Sequence, residues 1–110
     1  MREPTFLVLT ALAEEPRHGY AVIEDVATMT GGRVRLRAGT LYAALDRLRL
    51  DGLIEIDREE VVQSRLRRYY RLTGAGEQAL AAESARLRRQ ATIAERRLKI
   101  RRATLGGATA

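Results

Sequence analysis

A mainly α-helical fold with one small β-hairpin is predicted by three features of this 110-residue sequence. Apolar residues recur at helical spacing in three successive segments before Gly52. The period changes from 3.6 to 2 just after it. From residue 74 to about 102 no helix breaker appears.

Pro4 suits the first turn of a helix, and Phe6, Leu9 and Leu12, with Ala13, carry a stripe that Pro16 stops. A second helix follows Arg17-His18-Gly19-Tyr20, with Tyr20, Ile23, Val26 and Ala27 on one face, and Gly31-Gly32 ends it. Val34 and Leu36 then alternate with Arg33, Arg35 and Arg37 in a short strand-like stub. The third helix is RAGTLYAALDRLRLDGL, residues 37–53, with Leu41, Ala44, Leu45 and Leu48 facing the core and Gly52 as a C′ residue.

Residues 53–58 and 67–72 read as strands, the second rich in β-favouring tyrosine. Between them, residues 59–66 hold no Gly, Pro or Asn for a tight turn, so a long hairpin connection is expected. Its basic side lies at Arg65, Arg67 and Arg68, beginning near Ser64, because Glu59 and Glu60 would be repelled by phosphate. Thr73 is a good N-cap for the last helix, without a capping box, since Gly76 stands three residues on.

That last helix would be roughly 40 Å long at ~1.5 Å per residue, more than a small domain can cover. Leu80, Ser84, Leu87, Ala91, Ala94 and Leu98 follow 3-4 spacing along it, with Ile93 and Ile100 on a neighbouring line. This seam resembles one half of a helix–helix contact. A homodimer is expected, completed by Phe6 and Leu9 of the first helix. The expected organisation is residues 1–73 as one domain, 74–105 as a dimerisation helix and 106–110 as a disordered tail.

Composition excludes several classes. There is no cysteine, hence no disulfide or thiolate zinc site. His18 is the sole histidine, no metal or other cofactor is expected, and helix-start packing is its best reading. No apolar run reaches the ~20 residues of a membrane helix, so a cytoplasmic protein is expected. An enzyme would need converging nucleophile, base or metal groups or a glycine-rich phosphate loop, and none is present. The formal charge is +6 and the pI about 10.7, above the ~9 that suggests a nucleic-acid partner. Of the 20 basic residues only Lys99 is lysine, and heavy arginine use also follows from a G+C-rich genome. The placement of the arginines therefore carries more information than their number.

Three helices followed by a hairpin is the order of a winged helix-turn-helix, whose third helix enters the DNA major groove while the wing meets the backbone. The outward face of helix three fits that use. Gly39 permits close approach, Thr40 offers a hydroxyl, Tyr42 a flat amphipathic ring, Ala43 a methyl and Arg47 a long cation. A phenol lying over the domain's own surface is the competing reading of Tyr42.

These residues resemble the PadR-type transcriptional regulators. The resemblance runs through His18-Gly19-Tyr20, Gly39-Thr40-Leu41-Tyr42, Asp51-Gly52-Leu53-Ile54 and residues 67–73, Arg-Arg-Tyr-Tyr-Arg-Leu-Thr, with Gly76 beyond. The single last helix is similar to the short subfamily. That likeness implies a homodimeric repressor of an inverted-repeat DNA operator, relieved by a small-molecule effector. Three departures stand out. Arg37 and Ala38 replace a common Ser-Pro, which removes an N-cap oxygen and places a cation where phosphate would lie. Ala43 replaces a proline, and Ser64-Arg65-Leu66 replaces a Gly/Pro-containing wing. No tryptophan is present to stack on a flat ligand. The alternative is a winged-helix protein-interaction module without DNA binding, which predicts an apolar or acidic outer face on helix three.

Overall fold

A computed structural model describes residues 1–109 as two compact units, Met1–Leu80 and a second beginning at Ala81. The elements are α1 (Glu3–Ala11), β1 (Arg17–His18), α2 (Gly19–Met29), α3 (Ala38–Leu50), β2 (Ile54–Val62), β3 (Arg65–Leu72) and α4 (Gly74–Thr109). The strands form an antiparallel sheet in the order β1-β3-β2. Helices and a small sheet are thus arranged as a winged helix-turn-helix, with a long C-terminal helix.

Leu7, Val8 and Leu9 are all buried, so α1 runs through the core rather than over it, as expected of a helix apolar on all sides. This corrects the assignment of Leu9 to a dimer interface: it lies wholly inside the core cluster, with the half-buried Phe6 packed against that cluster. The helix also stops earlier than Pro16, at Ala11, where the Arg17 Nε donates to the Ala11 carbonyl at 2.9 Å. On α2 the buried residues are Gly19, Val22 and Val26. Tyr20, grouped by spacing with Ile23 and Val26, is 65% exposed, whereas Val26 is buried.

Two helices end in the same way. At α2, Gly31 and Gly32 adopt positive φ (61° and 82°), and their N–H groups donate to Thr28 and Ala27. At α3, Gly52 (φ 74°) and Leu53 donate to Arg49 and Leu48. Both are Schellman caps, in which a left-handed residue closes the last carbonyls. Between them, residues 33–37 form no strand. Val34 and Leu36 do turn toward the core, but the sheet's short third strand is β1, held by Arg17↔Tyr70 and His18↔Tyr69 pairing.

The wing also differs from expectation. Its strands extend to Val62 and from Arg65, leaving a two-residue connection, Gln63-Ser64, with φ of 53° and 64°. Positive φ at both central positions is the type I′ signature that matches strand twist, here without glycine. Opposed charges support the longer ladder: Glu55 and Glu59 stand across from Arg71 and Arg68 and pair with them, while Glu60, across from Arg67, turns to Tyr69 and Arg58 instead. A register shift between Ile56 and Arg58 marks a bulge.

The chain leaves the sheet through a tight junction. Thr73 Oγ1 accepts from Gly76 N–H at 3.0 Å and donates to the Gly52 carbonyl at 2.7 Å, while Thr73 N–H donates to Leu53. A Cβ on Gly76 would overlap the Leu53 carbonyl oxygen. The first turns of α4, through Leu80, therefore belong to the winged unit. The sequence placed this boundary at residue 73. Helix α4 continues to Thr109, past the expected start of a frayed tail at 106, and Ala110 lies outside the described residues.

Gly76→Ala is therefore expected to cost about 1–3 kcal/mol in urea unfolding, the usual range for forced overpacking. Gly39→Ala, with nothing within 4 Å of its added Cβ, is expected to be neutral or to stabilise by up to about 1 kcal/mol.

Candidate nucleic-acid interface

Helix α3 buries Leu41, Leu45 and Leu48 and leaves Gly39, Thr40, Tyr42, Ala43 and Arg47 exposed. Arg37 occupies the N-cap position, yet its side chain makes no capping hydrogen bond. The helix thus begins with N–H groups that no side chain satisfies, beside a guanidinium.

Tyr42 does two things at once. It is 48% exposed, and its ring rests on the start of α2. A Cβ at Gly19 would come within 2.7 Å of the phenol oxygen and 3.3 Å of Leu41 Cδ2. Gly19 thus leaves the room that the Tyr42 ring occupies, and a side chain there would displace the phenol. The phenol lies over the domain's own surface, as one sequence reading had it, and still presents an edge to solvent.

A groove of about 990 Å³ separates α3 from the wing. His18, Gly19, Tyr20, Tyr42 and Asp46 line one side, and Gln63, Arg65, Leu66, Arg67 and Arg68 line much of the other. Of the residues singled out from sequence, the groove brings together Tyr42, Arg65, Arg67 and Arg68. Gly39, Thr40, Ala43 and Arg47 lie elsewhere on the exposed face of α3, and Ser64 sits in the wing turn. Tyr20 and Gln63 were missed. In the sequence Tyr20 stands out only for the helical face it shares with Ile23, Val26 and Ala27, and Gln63 carries no recognisable turn signal.

Ion pairing sorts the arginines. Arg68 Nε lies 2.9 Å from Glu59, Arg47 is 3.4 Å from Asp51, and Arg71 is held by Glu55 and Asp57. Hydrogen bonding to Glu59 raises the pKa of Arg68. Arg58 lies 3.8 Å over the Tyr69 ring, near Asp57 and Glu60. Among the described residues of the winged unit, Arg2, Arg35, Arg37, Arg49, Arg65 and Arg67 have no carboxylate partner, and of these Arg65 and Arg67 line the groove. The acids of the wing accordingly sit opposite its bases instead of being confined to a separate tip.

His18 caps α2: its Nδ1 accepts from Ala21 N–H at 3.3 Å. The ring meets Tyr69 edge-on, with centroids 5.4 Å apart. Burial, then the charge of Arg67, pushes its pKa below the ordinary 6.5, with Glu24 and Glu60 acting the other way. Among the described residues no group of three His, Cys, Asp or Glu side chains is placed to hold a metal ion. No helix among them is long and apolar enough to cross a membrane.

Because the folded state disfavours imidazolium, His18 contributes stability that is complete above pH 6.5 and is lost as pH falls through the lowered folded value. His18→Asn keeps a capping oxygen and removes the titration. Its unfolding free energy is expected to change less than wild type between pH 7 and pH 5. Equal pH slopes would show that the cap does not titrate.

Residues 8–82 match the profile of the transcriptional regulator PadR-like family. A transcriptional regulator of Mycobacterium tuberculosis is 40% identical over 70 residues, covering 64% of this chain and 51% of that protein, so the match spans about half its length. A PadR family transcriptional regulator from Eggerthella lenta superposes with a TM-score of 0.73 at 29% identity, over 86% of this chain and 80% of that one. Bacillus subtilis PadR, solved in complex with operator DNA, shares the fold with a TM-score of 0.66 at 22% identity, over 74% of this chain and 47% of that one.

Proposed function

This chain belongs to the PadR-like family of transcriptional regulators, which are not enzymes, and from that membership we propose that it represses transcription as a homodimer on an inverted-repeat operator. The observation that carries the reading is the groove, with Tyr42 of α3 on one side and Arg65 and Arg67, which have no carboxylate partner, on the other. Thr40 and Arg47 are exposed on the same helix outside it. Thr40, Tyr42 and Arg47 read base edges in the major groove, and Arg37, Arg65 and Arg67 take phosphates. Arg68 contributes less, because phosphate must displace Glu59 to reach it. An apolar or acidic α3 face would favour a protein-interaction module, and this face is neither. Such a regulator works on DNA in the cytoplasm.

The dimer is built on α4, where Leu87 and Leu98 are 38% and 47% exposed in the single chain. Ala91 and Ala94 lie on the same line, and Leu80 begins it. A small-molecule effector binds between the subunits beside Ser84 and Ala91, where small side chains leave room, and changes the spacing of the two α3 helices. Planar phenolics that alter operator affinity would support this placement.

Each leucine buried between subunits contributes ~1.5–3 kcal/mol. Leu87→Glu with Leu98→Glu is therefore expected to sediment as a monomer at micromolar concentration, and a stable dimer would move the seam elsewhere.

Salt titrations on operator and scrambled duplexes separate α3 from the wing. Arg65→Ala with Arg67→Ala should weaken both duplexes alike and flatten the log–log salt slope by about two units per subunit, at about 0.9 per phosphate. Tyr42→Ala should leave the slope nearly intact and lower the operator preference by roughly 1–3 kcal/mol. Full specificity in the Tyr42 variant, with loss in the wing variant, would reverse the two assignments.

A further inference from the structure

The protein's net charge is not where the groove is. Residues 1–80 hold twelve basic and twelve acidic side chains, whereas residues 81–110 hold eight basic and two acidic. The winged unit is formally neutral, and the whole +6 belongs to the second unit. Within that unit Glu83 is engaged by Arg86 through two 2.6 Å hydrogen bonds, which hold its carboxyl at about 2. The other seven cations, between Arg88 and Arg102, are exposed and, among the described residues, have no carboxylate partner.

We propose that this stretch of α4 is a second, sequence-neutral nucleic-acid contact that takes the phosphate backbone of DNA. A helix pair alone does not call for such a charge. Flanks of a pairing seam ordinarily carry both signs, so that the helices attract one another. Here each copy would bring +6 to its partner's side, and like charge opposes the association. A polyanion removes that repulsion and gains from counterion release. Seven of the eight cations are arginine, whose planar fork suits phosphate oxygens.

An anionic lipid surface fits less well. A helix that lies in a membrane needs a segregated apolar face. On α4 the continuous apolar line is Leu87, Ala91, Ala94 and Leu98, the line proposed for the second copy. Leu105 continues that line, and the remaining large apolar residues, Ile93 and Ile100, lie off it and are interleaved with Arg89 and Arg96.

The inference rests on the DNA-binding reading for its choice of polyanion, and the test keeps the two apart. The full-length variant Arg88→Gln, Arg89→Gln, Arg96→Gln, Lys99→Gln removes four cations away from the leucine line. Glutamine has nearly the same helix propensity, and circular dichroism and sedimentation check that helix and assembly persist. On a scrambled duplex its salt slope is expected to fall by two or more units per subunit, at about 0.9 for each phosphate no longer neutralised, with the operator-to-scrambled ratio unchanged. An unchanged slope in this variant, while Arg65→Ala with Arg67→Ala still lowers it, overturns the second contact and leaves the groove standing. If wild type binds neither duplex, both readings fall. Binding to phosphatidylglycerol vesicles that the four substitutions abolish, with duplex binding untouched, assigns the helix to a membrane and overturns the inference.

Discussion

The anchoring of α3 by Leu41, Leu45 and Leu48 is the contact on which the remaining geometry depends. All three are buried in a cluster that also takes residues from α1, α2, β2 and β3. At ~1.5–3 kcal/mol for each buried side chain, against a typical total of about 5–15 kcal/mol, the rotation of this helix about its axis is not adjustable. Gly39, Thr40, Ala43, Asp46 and Arg47 must then face outward. The two Schellman caps complete the positioning, because they set where α2 stops and where α3 stops, and Gly19 leaves room for the Tyr42 ring.

Charge pairing adds a second layer of order. An arginine-rich chain would carry many equivalent cations if none were paired. In the winged unit carboxylates are opposite Arg47, Arg58, Arg68 and Arg71, and the unit is neutral overall. Exposed pairs of this kind contribute little to stability, typically below about 1 kcal/mol. Their larger consequence is to set which guanidinium groups remain available: Arg65 and Arg67 in the groove, Arg37 at the start of α3, and Arg2, Arg35 and Arg49 elsewhere on the unit. The same protein thus has a formally neutral unit in which about half the arginines are paired and a strongly basic helix in which, among the described residues, only Arg86 is paired.

Much of the winged fold was legible because helix-period leucines and helix-ending glycines are local signals. Gly31-Gly32 and Gly52 marked their caps correctly, and the outward face of α3 followed from three buried leucines. What was not legible was set by contacts distant in sequence. Leu9 looked like a surface stripe residue because α1 is buried on several sides, which periodicity cannot report. Tyr20 shares its helical spacing with Ile23 and Val26, yet it is exposed and Val22 is buried. The wing seemed to need a long loop, since Gln63-Ser64 lacks the usual turn residues. The mirrored charges of β2 and β3 were present in the sequence and could have revealed the longer ladder. The packing of Tyr42 on Gly19 had a trace in the sequence, a glycine opening α2, but the contact joins residues 23 apart.

The absence of cysteine from the chain gives the central claim a direct test. A single cysteine at Thr40→Cys, carrying a DNA-cleaving copper–phenanthroline group, can be bound to an operator selected from a random pool. If α3 lies in the major groove of each half-site, strand cuts should appear as two symmetric clusters about one helical turn apart, or a multiple of it. The same probe at Arg65→Cys should cut outside or between those clusters, toward the backbone met by the wing. Uniform cutting from the Thr40 position, or no cutting while the complex is fully formed, would contradict the placement of α3 on the bases.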